Sequence, residues 1–206
     1  MKKFNKPVTA VELLARLAAD PSYVARQALQ EREMQQRIEA IRAEQRVILN
    51  ELLSKGIRVH ILQDLISMPT SDYEVGFAIL LRHLQLPYSE GTRETIARAL
   101  AVKEAAPHWD TLRKIYQETP PPVERGIGDA KDGLAAALTG SMPADRLDKM
   151  IELVKDAGNG SSRLLLLRAL RRSRQQRARD AIDQVADDPD LCQEIASWRK
   201  RKKSPK

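Results

Sequence analysis

One cysteine, Cys192, is all the chain has. A lone thiol closes no internal disulfide and builds no thiolate-rich zinc site. Aromatic residues are scarce, at 4%, so stacking of single-stranded bases on interleaved rings is not expected. No run approaches the roughly 20 apolar residues that span a bilayer, and membrane attachment is not expected. The opening stretch from Met1 to Pro7 is basic but has no apolar run behind it, unlike a secretory signal. These absences predict a cytoplasmic protein. The three histidines, His60, His83 and His108, fall in separate predicted elements with no acidic or thiol companion at metal-ligand spacing. They are expected at surface or boundary positions. Gly126 and Gly128 precede a predicted helix, but neither a strand nor a Lys-Ser/Thr pair accompanies them, so no phosphate-binding loop is predicted. No Ser-His-Asp or Cys-His arrangement can be assembled. The expectation is of no catalysis, no cofactor and no metal.

What the chain has in abundance is charge, at 31%, together with Leu, Ala and Arg. That composition predicts an all-α protein. The formal net charge of +7 is unevenly placed. From Gly160 to Lys206 there are 13 Lys/Arg against 6 Asp/Glu, so the excess lies entirely in this last stretch. Thr9 is positioned to cap a short helix within residues 1–20. Asp20-Pro21 then marks a new start, with Asp as N-cap and Pro in the first helical position. A long charged helix is predicted over 21–56, with Gly56 as its stop. Its second half carries Met34, Ile38, Ile41, Gln45, Ile48 and Leu52 at heptad spacing. This stripe is expected to cap the helices that follow; the alternative is a homodimeric coiled coil. Beyond it, helices are predicted over Tyr73–Leu86, Glu90–Ala101, from Pro107, Asp129–Thr139, from Pro143, from Ser161 or Ser162 to Arg172, Gln175–Ala186 and Asp190–Trp198. Residues 199–206 form a basic run predicted to be disordered.

One pattern occurs three times. It reads R-E-T-I-A-R-A-L from Arg93, K-D-G-L-A-A-A-L from Lys131 and R-L-L-L-L-R-A-L from Arg163, with starts 38 and 32 residues apart. Repetition at such periods signals helical units that bury their apolar faces by stacking on neighbours. The arrangement resembles HEAT repeats over roughly Tyr73–Trp198, with the three copies in the place of second, inner helices. The resemblance implies, over 57–198, a HEAT-like α-solenoid of about four antiparallel helix pairs. It also implies that the copies line a concave face, but it carries no activity.

On that reading Arg93, Lys131 and Arg163 form a basic row on the concave face, with Arg98 and Arg168 as a second equivalent pair. The primary functional expectation is a non-enzymatic scaffold or adaptor whose row holds an acidic protein partner. The alternative is a salt-sensitive, nonspecific nucleic-acid binder. Seven arginines lie between Arg163 and Arg179. Phosphate contact is assigned to Arg171, Arg172, Arg174 and Arg177, and to Arg199, Lys200 and Arg201 in the terminal run.

Overall fold

The computed structural model describes the backbone of residues 9–121 and 129–203, and side chains within those segments up to Arg199. Among the described residues every regular element is helical and no strand occurs. The expected loop from Pro120 to Gly128 lies largely outside the described residues. The chain divides into two compact units, Met1–Glu44 and Gln45–Lys206.

In the first unit, α1 (Ala10–Ala19) starts where the sequence predicts. The Thr9 hydroxyl accepts the Glu12 N–H at 3.3 Å, and the Glu12 carboxylate accepts the Thr9 N–H at 3.1 Å. This reciprocal box satisfies two of the donors that a helix start leaves open. No residue of α1 is buried. Asp20 opens α2 (Pro21–Ser54) by accepting the Ser22 N–H at 2.9 Å. Hydrogen bonds from the Ser22 side chain and backbone hold the Asp20 carboxyl below the usual carboxylate range.

The boundary between units falls inside α2, earlier than the expected break after Gly56. Gln45, Ile48 and Leu52 are buried in the second unit's core, whereas Met34 is exposed and Ile38 and Ile41 are half-buried. The heptad stripe therefore divides in two, and its C-terminal half does the capping. Gln45, the polar member, donates nothing, but its side-chain oxygen accepts the Leu62 N–H at 3.2 Å. α2 ends as predicted. Gly56 takes φ +83°, its N–H reaches the Leu53 carbonyl, and the Ile57 N–H reaches that of Leu52. These are the two bonds of a glycine-terminated helix.

The second unit continues with α3 (Asp64–Ser67), α4 (Phe77–Leu84), α5 (Glu90–Ala99), α6 (Trp109–Glu118), α7 (Ala130–Gly140), α8 (Leu147–Lys155), α9 (Arg163–Arg172), α10 (Gln176–Gln184) and α11 (Cys192–Lys203). Three expectations are corrected. Tyr73 does not belong to α4, because 3₁₀ turns over Thr70–Asp72 and Glu74–Gly76 precede Phe77. Pro107 does not open α6 but sits in a 3₁₀ segment, Lys103–His108, before it. The basic run is helical over 199–203, since α11 passes Trp198 and continues to Lys203, and 204–206 lie outside the described residues. Lys and Arg are good helix formers, and they complement the negative end of the helix dipole.

Apolar positions of the three copies form the core. Ile96, Leu100, Leu134, Leu138, Leu166, Leu167 and Leu170 are wholly buried. α5 and α7 lie side by side in the same direction, with Glu94 against Gly133 and Ala101 against Gly140. The Ala130 N–H at the start of α7 donates to the Glu90 carboxylate at the start of α5, at 3.0 Å. A Cβ on Gly133 would stand 2.7 Å from the Glu94 carbonyl oxygen. The in-helix glycine is thus explained by backbone approach. Two buried aromatic donors close the far ends of these helices. Tyr73 Oη donates to the Ala99 carbonyl at 2.8 Å, and Trp109 Nε1 to that of Leu138 at 3.1 Å.

Gly→Ala in a helix interior ordinarily stabilises by about 1 kcal/mol. At Gly133 the sign should reverse. Chemical denaturation of Gly133→Ala is expected to show a loss of about 1–3 kcal/mol, the usual range for overpacking. A stabilised variant would mean that α5 and α7 can separate freely.

Candidate functional site

The first residue of each copy was expected to face a partner, and the structure corrects this. Lys131 is 2% exposed and Arg163 is 1% exposed. Each base instead turns back onto the helix before it and meets the carbonyls that a helix end leaves without intrahelical partners. Arg93 Nε donates to the Leu84 carbonyl at the end of α4, at 3.4 Å, and its Nη2 to Thr119 Oγ1 at 3.2 Å. Lys131 Nζ donates to the Thr119 carbonyl beyond α6 at 2.7 Å. Arg163 donates to the Val154 carbonyl of α8 at 3.4 Å and to the Gly160 carbonyl at 2.9 Å.

These groups join into a polar spine. Arg93 and Lys131 share Thr119. Lys131 Nζ stands 4.5 Å from the centroid of the Tyr116 ring, and the Tyr116 hydroxyl is 2.7 Å from that of Ser162, next to Arg163. Arg163 then meets Asp188 at 2.8 and 2.9 Å and Asp190 at 3.2 Å. Burial pushes the Lys131 ammonium below its ordinary pKa, opposed by Asp156 and Asp129. Burial likewise opposes the charge on Arg163, but the bonds and field of Asp188 and Asp190 outweigh it and leave that pKa raised.

The second expected pair is exposed but already matched. Arg98 pairs with Glu94 at 2.8 Å and Arg168 with Glu194 at 3.5 Å. No open basic stripe runs along the copies.

Open basicity gathers elsewhere, where the end of α9 meets α10 and α11. A cleft of about 580 Å³ has Arg171, Arg172, Arg174, Arg179 and Arg199 among its lining, over a floor of Leu170, Ile182, Ile195 and Trp198. Arg199 is tied to Asp183 at 2.6 Å. Arg171 places its guanidinium 4.4 Å from the centre of the Trp198 ring, and Arg172 reaches the Thr139 carbonyl only at 3.5 Å. Among the described residues no carboxylate is paired with Arg171, Arg172, Arg174 or Arg179. A neighbouring concavity of about 430 Å³ shares Arg172 and Ser173 with the cleft. Of the other expected phosphate ligands, Arg177 is turned away and paired with Asp148 at 2.6 Å. The side chains of Lys200 and Arg201 lie outside the described ones. Sequence reasoning counted Arg179 in the phosphate-neutralising arginine run but assigned no role at this surface to Trp198. Arg179, eight residues after Arg171, is a signal that the arginine run contained; Trp198 reaches the cleft only through the fold.

Two further chemistry-bearing side chains, His83 and Asp110, lie against groups of the fold. His83 is buried, against expectation, with Nδ1 2.9 Å from the Tyr88 hydroxyl and Nε2 3.2 Å from a Glu51 oxygen. Burial, aided by Arg82, holds its pKa down. Asp110 is bound by Lys149 at 2.8 Å and Arg146 at 3.0 Å. No cluster of three or more His, Cys, Asp or Glu suited to a metal occurs among the described residues, nor any helix long and apolar enough to cross a membrane.

The Arg163 cluster generates a test. Arg163 lowers the pKa of Asp188, chiefly by its hydrogen bond. A depressed carboxyl contributes stability above its unfolded pKa of about 3.9 and loses that contribution as pH falls through the folded value. Arg163→Met should therefore lower stability at neutral pH by about 3 kcal/mol, the lower end for breaking a buried pair. It should also flatten the acid limb below about pH 4. Urea midpoints across that range measure both, and an unchanged stability would remove the structural role. Compared with known proteins, this chain matches no family model, no curated protein and no solved structure.

Proposed function

We propose that this protein is a non-enzymatic, HEAT-like helical-repeat module that binds the phosphate backbone of nucleic acid, without sequence preference, at the basic surface of α9, α10 and α11. The observation that carries this reading is the convergence of Arg171, Arg172, Arg174 and Arg179 on one cleft with no carboxylate paired to them among the described residues. Arginines in surplus over their partners suit phosphate, which their planar forks contact two bonds at a time. The same-direction packing of α5 and α7 supports a solenoid of antiparallel helix pairs, as does the base that each copy turns onto the end of the preceding helix. The reading that an acidic protein occupies the row of Arg93, Lys131 and Arg163 loses its footing, because two of those bases are inside the fold.

Phosphate binding releases counterions, so affinity for a random-sequence duplex should fall steeply between about 50 and about 200 mM salt. Arg174→Ala with Arg179→Ala should weaken binding uniformly across sequences and reduce the salt slope by roughly one unit per arginine. Binding that ignores salt, or a double variant that binds as the wild type does, overturns the proposal.

A second reading concerns the first unit, where Val11, Leu13, Leu14, Val24, Leu29 and Met34 are exposed. So many apolar side chains in a short span favour a protein contact, and a second copy of this chain is the simplest occupant. Sedimentation equilibrium should give a dimer that Leu13→Glu with Leu14→Glu converts to monomer. A wild-type monomer at the highest reachable concentration would contradict it.

A further inference from the structure

The cleft has more than phosphates require. Leu170 and Ile195 lie buried beneath it, and its apolar surface comes from Ile182 and the edge of Trp198, whereas a double helix keeps its bases paired inward and offers such a cleft only charged backbone and groove edges. A volume of about 580 Å³ falls in the range that encloses a small ligand or one residue of a polymer. The aromatic shortage that argued against base stacking is offset here by tertiary placement. Arg171 comes from the end of α9 and Trp198 from α11, and the fold brings the guanidinium over the indole at 4.4 Å. Trp198 is 8% exposed, so the surface presented outward is the guanidinium, which the indole holds in place. Guanidinium planes are stacking surfaces for unpaired bases. Arg174 and Arg179 line the same cleft, have no paired carboxylate among the described residues, and face the flanking phosphates.

We propose that the cleft of α9, α10 and α11 takes an unpaired nucleotide of a single strand, with its base over Arg171 beside Ile182 and its phosphates on Arg174 and Arg179. The inference rests on the phosphate-binding function proposed above and narrows it to single strands. Base contact of this kind is sequence-tolerant, because every base has a π-face.

The experiment is a titration of the full chain with an oligothymidylate and with a random duplex of equal phosphate count, followed by anisotropy and by tryptophan emission. Trp109 is wholly buried with its N–H bonded to Leu138, so an emission change reports on Trp198. The single strand should bind roughly tenfold tighter, within the range that one stacked base contributes, and should change the emission. Arg171→Lys keeps the charge and loses the plane. It should abolish the single-strand preference and leave the salt slope unchanged, with an unaltered melting curve showing that it folds. Equal affinity for both nucleic acids with unchanged emission overturns this inference and leaves the phosphate-binding function standing. Binding of neither overturns both. Poly-glutamate that changes the emission where oligothymidylate does not would place an acidic protein segment in the cleft, again overturning the inference.

Discussion

The second unit depends on one recurring interaction, in which a base at the start of a helix closes the carbonyl end of the helix before it. Arg93 does this for α4, Lys131 for α6 and Arg163 for α8. Each contact gives a partner to a carbonyl at a helix end, where an acceptor left buried and unpaired carries a penalty of about 1–3 kcal/mol. It also fixes the turn between consecutive helices, because a base that must reach back sets how far the second helix can swing from the first. Thr119 and Tyr116 link one such contact to the next, so the turns are coupled rather than independent.

This constraint decides where function can sit. A cation engaged with carbonyls in the interior has little left for a ligand, and Arg163 has two aspartates as well. After the last copy, where α9 ends in Arg171 and Arg172 and the chain turns into α10, arginines gather that have no paired carboxylate among the described residues. The lopsided charge of the sequence and the open cleft are therefore one fact seen at two levels. On the proposed function, copies that use their first bases internally leave binding to the arginines that follow the last of them.

The helical class, the Thr9 and Asp20 starts, the Gly56 stop and the burial of the copies' apolar positions were legible because each follows from local pattern: a cap, a φ-permissive glycine, a period of 3.6. The direction of Lys131 and Arg163 was not legible. A base at the start of a helix reads as a solvated charge unless the preceding helix is known to end beside it. His83 was misplaced for the same reason, since its burial is made by Glu51 and Tyr88 from other segments. Tyr73 defeated the helix assignment because 3₁₀ turns carry much the same composition as a helix start. The cleft was half legible: the arginine run named Arg171, Arg172 and Arg174, but Trp198 joins them only in three dimensions.

On the proposed function equal charges have unequal roles, Lys131 holding the fold and Arg174 holding the ligand. The most direct measurement is the salt dependence of nucleic-acid affinity for Lys131→Met beside Arg174→Met, each removing one positive charge, at a temperature where both are folded by circular dichroism. The account predicts the wild-type slope for Lys131→Met and a slope lower by about one for Arg174→Met. Equal reductions in the two variants would contradict it, because the buried base would then be touching phosphate.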